Sequence, residues 1–375
     1  MSRSADIAIV GAGIVGLAHA LAAARQGRSV TVFDRSIRAR GASIRNFGLV
    51  WPIGQHADLY DTALRSREIW LEIAAQTDMW MRQCGSLCIA RSEQEMAVLQ
   101  QFLDNNSTAR SMGCQMLDPA EVVRLSPNVR FAGLLGGLWS PTELNVEPRL
   151  AIPELAAYLH SRYGVQFEFC TSVYEIDMPR ISTTRGNWEV NEVLVCAGAE
   201  YDTLYPAEHT AELQRCKLQM MRTEPQPDGW HLGPALCSGL SMLHYASFQS
   251  SAGLIDLQNS LDSQYPQHQN ANVHALVSQT PTGQLSIGDS HEYGDDLSPF
   301  GEEPTNDLIT DYLAEWFTPP NTAIAEHWLG VYAVSKDGRA VVRSSPSAGV
   351  TIVNGLAGAG MTLSFAEAEK TFATR

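Results

Sequence analysis

Lysine is almost missing from this chain of 375 residues: Lys217, Lys336 and Lys370 are the whole supply, so the 26 basic residues are nearly all arginine, against 41 acids. The formal charge of −15 repels a phosphate backbone, which excludes nucleic acid as a general partner. No apolar run approaches the roughly 20 residues of a membrane-spanning helix. Met1 to Asp6 leads straight into a structured motif, leaving no room for a signal peptide, and a cytoplasmic protein is expected. Repeats and low-complexity tracts are absent, which excludes solenoids and linker-like segments. The seven cysteines are odd in number and irregularly spaced, which argues against a disulfide framework and for free thiols in a reducing compartment. Cys84 and Cys88 lie four apart, but no second Cys or His pair stands at zinc-finger spacing, and no metal is expected. The remaining composition is ample for a core: 45% of the residues are apolar, and the length suits two domains at roughly 100–200 residues each.

The informative stretch begins at residue 7. Ile7–Val10 is a short β-rich run, followed by Gly11-Ala-Gly13-Ile14-Val15-Gly16 and then by the alanine- and leucine-rich Leu17–Ala24. Gly27 stops that helix, and Ser29–Phe33 reads as a second strand finishing at Asp34. The glycines of this βαβ unit serve three different ends. Gly11 permits the tight turn, Gly13 lets backbone approach a pyrophosphate, and Gly16 allows close packing of helix on strand. The helix start offers free N–H groups and a positive dipole end to phosphate. Asp34 is placed to accept hydrogen bonds from a ribose diol, which argues against a 2′-phosphate. The unit predicts dinucleotide binding and leaves NAD and FAD both open.

Beyond Asp34 the chain resembles the FAD-dependent superfamily of D-amino-acid oxidase, glycine oxidase and sarcosine oxidase. Four blocks carry the likeness: Gly11–Asp34 with its extension Arg40–Gly48; Thr171-Ser-Val173 with Val193–Ala199; His327–Tyr332 followed by Lys336-Asp337-Gly338; and Val353-Asn-Gly355-Leu-Ala-Gly358-Ala-Gly360-Met361-Thr362. The resemblance implies noncovalent FAD as cofactor. It places Asp34 and Arg35 at the ribose end, and Arg40, Ala42, Ser43, Asn46, Phe47 and Gly48 along the pyrophosphate and under the flavin. Val173 would lie beside adenine, with Ala197 and Gly198 nearby. Gly330, Gly358, Gly360, Met361 and Thr362 would surround the flavin. The last block also makes sense on chemical grounds, since reduced flavin gains negative charge near N1 and O2 and a glycine-rich helix start suits it. A narrower likeness, in Ala42–Gly54 and Leu285–Gly294, is to a subgroup associated with breakdown of 2-aminoethylphosphonate and its N-alkyl relatives.

The expected fold is α/β, with a discontinuous Rossmann-like FAD-binding domain (residues 1–80, 145–212 and 322–375) and an α+β substrate domain with a mixed β-sheet (81–144 and 213–321). Lys217–Arg222, Ser241–Ala246 and Gln284–Gly288 read as strands of that sheet, Leu150–Tyr163 as a helix, and the acidic Glu292–Glu303 as a surface loop. Gly288-Asp-Ser-His291 looks like a serine-hydrolase signature but comes after a late strand, where that signature does not belong. His268 and His274 sit in a Gln/Asn-rich segment and are read as loop residues.

The resemblance implies oxidation of a small amine at its C–N bond, with O2 or another electron acceptor and no obligatory catalytic acid or base. Two departures bear on the substrate. The amino-acid oxidases hold the substrate carboxylate with an arginine where this chain has Tyr332, and sarcosine oxidases use a lysine where it has Thr362. A phosphonate substrate wants an arginine surrounded by neutral donors. Arg45 is the first choice, with Trp51 as a wall and His244, Tyr245, His291 and Tyr332 as companions. Gly330 and Arg45 stand at the family's two covalent-attachment positions, hence the noncovalent flavin. The alternatives are a sarcosine, glycine or 2-hydroxy-acid oxidoreductase and, less favoured, a non-catalytic flavoprotein.

Overall fold

The computed structural model describes residues 3–373. The strand β1 (Arg3–Val10), the helix α1 (Ile14–Arg25) and the strand β2 (Val30–Phe33) form the expected βαβ unit, with β1 and β2 parallel. Around them a parallel sheet runs in the order Val350–Asn354, Gly186–Val195, β1, β2, Gln166–Glu168. Ile7, Ala8 and Ile9 are completely buried, as expected for a parallel strand covered on both faces. α1 is lined by Leu17, Ala18, Ala20, Leu21 and Ala23, all buried. These small side chains let it sit between the sheet and the C-terminal helix Gly360–Ala373, with the helix Pro148–Tyr163 packing on its other flank.

The second sheet has nine strands of mixed direction. Its spine is the strand Leu213–Thr223, antiparallel to Ile324–Ser335 along its whole length. The strands at Lys217–Arg222 and Gln284–Gly288 and the helix at Leu150–Tyr163 are present, the helix keeping Pro153 inside it. Four expectations change. Residues 324–335, assigned above to the cofactor domain, belong to the second sheet, so the chain returns to the first sheet only after Ser335. Ser241–Ala246 is not a strand: Gly239–His244 is helical and Ala246–Phe248 is a 3-10 turn. A six-residue apolar run carries no periodicity that separates the two states. His268 lies on the short helix Pro266–Asn270 rather than in a loop. The acidic stretch begins with a short edge strand, Glu292–Gly294. All seven cysteines are free thiols.

Glu147, at the start of the helix Pro148–Tyr163, and Arg222 on the spine strand form an ion pair at 3.2 Å with both side chains buried. Glu143 is buried as well, its carboxylate accepting from the Ser140 and Thr142 hydroxyls at 3.0 and 3.1 Å. Burial pushes the Glu143 carboxyl above its ordinary 4.5, so the folded state holds this proton more tightly than the unfolded chain. Its contribution to stability is present at low pH and is lost as pH rises through the raised value. Glu143→Gln is therefore expected to melt higher than wild type at about pH 8, with the gap closing as pH falls toward about 4.5; melting curves at several pH values with a constant gap would refute this.

Candidate active site

The first glycine turn is built by backbone approach that no side chain permits. Gly11 has φ +107°, and a Cβ there would lie 2.4 Å from the Cys196 carbonyl oxygen; one on Gly16 would lie 1.9 Å from the Gly11 carbonyl oxygen. Asp34 accepts the Ala12 and Ser36 amides at 3.0 and 2.8 Å, one on each oxygen, which orients the carboxylate and leaves it further acceptor capacity. α1 starts at Gly13 without a side-chain cap and without an acid in its first turn, so its positive end is open to an anion. Ser43 fastens the extension to this helix start: its Oγ accepts the Ile14 amide at 2.9 Å, in the space a Gly13 side chain would take. Val15 is half-buried beside it.

The other expected cofactor residues divide into two groups. Ala197 and Gly198 are tied to the last glycine turn, the Asn354 side chain donating to the Gly198 carbonyl at 2.9 Å. Val173 is buried at the start of its strand. Asn46 spends its side chain on its own loop, donating to the Ala42 carbonyl and accepting from the Gly48 amide, so its role is to shape the extension. Arg35 pairs with Glu200 at the surface, and Arg40 is exposed.

The last glycine turn lies against the first. A Cβ on Gly360 would meet Ile14 Cγ2 at 3.4 Å, and the C-terminal helix, like α1, has no acid in its first turn. Thr362 Oγ1 accepts the Trp51 amide at 3.0 Å, and the Met361 carbonyl accepts from Trp70. Alternation along the two spine strands puts Cys216, Leu218 and Met220, with Trp328, Gly330 and Tyr332, on the face toward the Arg40–Gly48 extension. Accordingly, a Cβ on Gly330 would lie 3.4 Å from the Arg45 carbonyl oxygen, and the Tyr332 hydroxyl 3.9 Å from a Cβ on Gly358. These residues fit FAD: two helix starts side by side with no acid in either first turn, and glycines where a side chain would intrude. The Trp51 indole N–H is buried with no hydrogen-bond partner among the described residues, an orphaned donor on the wall of this space.

Four of the expected substrate residues, Trp51, Tyr245, His244 and His291, form a chain of ring contacts. The Trp51 and Tyr245 rings are 4.6 Å apart, Tyr245 is 5.0 Å from His244, and His244 is 4.3 Å from His291. His244 carries accessible surface yet is surrounded by enough protein that burial lowers its pKa to about 4; both hold for a ring lining an internal cleft. Arg45 donates to the Leu329 carbonyl at 3.0 Å and has no carboxylate within 4 Å among the described residues. The Tyr332 phenol is held neutral by burial and by the Cys216 thiol beside it. Two residues were missed by sequence reasoning. His274, expected in a loop, is buried with its ring 4.2 Å from His244 and 5.1 Å from His291. Asp289 is buried against both, and burial raises its carboxyl while lowering both imidazoles. The hydrolase-like Ser290 accepts the Gln219 amide and serves the sheet.

Gly16→Ala drives a Cβ into backbone that has no room to yield, a clash worth about 1–3 kcal/mol or more. The variant is expected to melt lower and to purify without flavin absorbance; a wild-type flavin content would refute the account of the turn.

The model of the FAD dependent oxidoreductase family matches residues 6–373. Glycine oxidase of Geobacillus kaustophilus is 24% identical over 217 residues, covering 53% of this chain and 56% of that protein. D-amino acid dehydrogenase 2 of Mesorhizobium japonicum is 24% identical over 255 residues, covering 52% and 61%. The chain thus spans less than two thirds of either relative's length. Among solved structures, L-proline dehydrogenase from P. horikoshii superposes with a TM-score of 0.78 at 19% identity, covering 98% of this chain and 92% of that one. Glycine oxidase from Geobacillus kaustophilus does so at 0.76 and 18%, covering 99% and 94%; at these identities the likeness shows the fold. Since the match runs from the first strand into the last helix and takes in both glycine turns, the chain belongs to the FAD dependent oxidoreductase family.

Proposed function

We propose that this protein oxidises the C–N bond of a small amine bearing an anionic group, and that the group is a phosphonate, as in 2-aminoethylphosphonate or an N-alkyl derivative. The observation that carries the reading is the meeting of the two glycine turns, with Tyr332 against the last of them, beside the ring wall of Trp51, Tyr245 and His244. FAD held by the two glycine turns would supply the two-electron acceptor for the carbon next to nitrogen, and with water the products would be phosphonoacetaldehyde plus ammonia or a primary amine.

The chain's own residues bind, orient and exclude water. Thr362 fixes the backbone of Trp51, whose ring stacks edge-on to Tyr245 and closes that side against solvent. Arg45 supplies a permanent positive charge with donors left over after its bond to Leu329. The neutral Tyr332 phenol stands where amino-acid oxidases carry an arginine, which supports an anion other than an α-carboxylate. A specific observation favours a second reading, oxidation of an amino acid such as glycine or sarcosine: the relatives matched in sequence are a glycine oxidase and a D-amino acid dehydrogenase. The electron acceptor is left open. Lys217, the lysine of the spine strand, is paired with Glu292 at 2.5 Å and lies one residue out of phase with Cys216 and Leu218, on the opposite face.

Anaerobic absorbance titration with 2-aminoethylphosphonate, its N-methyl derivative, sarcosine and glycine tests both readings. Bleaching of the flavin by the phosphonates alone is expected. Bleaching by sarcosine or glycine alone selects the second reading, and no bleaching by any amine leaves a non-catalytic flavoprotein. Arg45→Met is expected to raise the half-saturating phosphonate concentration at least about tenfold, about 1.4 kcal/mol, while the limiting rate of bleaching falls less; an unchanged concentration dependence removes Arg45 from the substrate.

A further inference from the structure

His244, His274, His291 and Asp289 arrive from three separate elements. His244 ends the helix Gly239–His244, His274 precedes the strand Leu276–Gln279, and Asp289 and His291 lie just past the strand Leu285–Gly288. Those two strands are paired, and the pairing continues past them: His274 N–H donates to the Asp289 carbonyl at 3.1 Å, and Asp289 N–H to the His274 carbonyl at 2.8 Å. Their side chains therefore share a face. The ligand-capable atoms of the three histidines all lie within 4.8 Å of one another.

The outer hydrogen bonds settle which way the ring lone pairs point. His291 Nδ1 stands 3.3 Å from the Asn272 carbonyl, which only accepts, so Nδ1 carries the proton and Nε2 of the neutral ring is bare. The Ser241 hydroxyl donates to the Ala275 carbonyl at 3.2 Å and so accepts from His274 Nδ1 at 3.3 Å, which leaves His274 Nε2 bare as well. Both bare nitrogens face the Asp289 carboxyl, at 3.2 Å from Oδ1 for His274 and 3.9 Å from Oδ2 for His291. With the Asp289 carboxyl unprotonated, acceptors face acceptors inside the protein, and His274 Nε2 and Asp289 Oδ1 are buried with no hydrogen-bond partner among the described residues; a proton on Asp289 or a cation is what such an arrangement calls for. A cation between them would satisfy all of these atoms at once.

We infer that His244, His274, His291 and Asp289 form a binding site for one divalent transition-metal ion of the Zn2+ class. A donor set of three imidazoles and one carboxylate suits Zn2+ and its borderline neighbours better than Mg2+ or Ca2+. At metal–nitrogen distances of about 2.0–2.1 Å, tetrahedral ligand atoms stand about 3.3 Å apart, the spacing that His274 and Asp289 already have. The rings lie within 14–32° of parallel, so closing the sphere needs rotation of a ring, and the exposed His244 is the one with room to turn. Nδ1 bonds to a carbonyl and to a hydroxyl are the outer support that metal-binding histidines ordinarily have. The site shares His244 with the wall proposed to face the substrate, yet its ligands are the same whichever amine is oxidised.

The test is equilibrium dialysis of the FAD-loaded protein against Zn2+ after chelator treatment, with metal and flavin measured together. About one Zn2+ per chain is expected in wild type and in His268→Gln, a histidine outside the cluster, with binding weakened at least about tenfold in His274→Gln and His291→Gln. Equal binding in all four proteins, which places the metal elsewhere, or none above that of a metal-free control, would overturn the site. Should the variants lose flavin and fold, wild type alone decides the question. Co2+ is expected to add visible absorption to the longer-wavelength side of the flavin bands that Zn2+ abolishes, and the absence of that absorption would overturn the site.

Discussion

Ile14 packs 3.4 Å from the point where a side chain on Gly360 would begin, and this contact between the first helix and the last sets the rest of the site in place. It aligns two helix starts, neither of which carries an acid in its first turn, so that the partial positive charges of both act on one region. Ser43 is bound to Ile14 and Trp51 to Thr362, so the segment joining them is held at both ends. The second sheet is then fixed to that segment from beneath, by Ser278 to the Phe47 carbonyl at 2.8 Å and by Trp328 to the Arg45 carbonyl at 3.3 Å.

Charge is handled differently in the two halves of this space. The cofactor half offers fixed backbone dipoles. The half proposed to face the substrate holds groups that burial keeps neutral, the phenols of Tyr245 and Tyr332 and the three imidazoles. Arg45 carries a permanent charge on the extension, bonded to the Leu329 carbonyl. Where the protein does bury opposite charges, at Glu147 and Arg222, the pair ties the start of the helix Pro148–Tyr163 to the spine strand of the second sheet.

The βαβ unit was legible from residues 7–34 because every level agreed: glycine spacing, alanine-rich helix, β-branched strand and terminal acid all pointed one way. The final glycine turn was legible for the same reason. The histidine cluster was not. Its members are scattered between positions 244 and 291, His274 lies in a polar stretch that reads as loop, and only the pairing of two short strands brings it opposite Asp289. His244 was named, but on a segment misread as a strand; its place on the wall comes from a short helix whose six residues are too few to show a period. The strand at 324–335 was misassigned because it joins the second sheet in space and precedes the last cofactor block in sequence.

The route of the chain between the two sheets has a consequence for its synthesis. β1 and β2 are made early and can form their βαβ unit at once, yet one strand of the sheet, Val350–Asn354, and the cover of α1, Gly360–Ala373, follow only after the whole second sheet. Until those segments are made the nascent chain carries the uncovered apolar flank of α1 and an open sheet edge. Such intermediates depend on chaperones or on slow elongation to avoid association. Because the helix Gly360–Ala373 covers α1, loss of even a few of its turns would uncover a part of the structure that formed long before it.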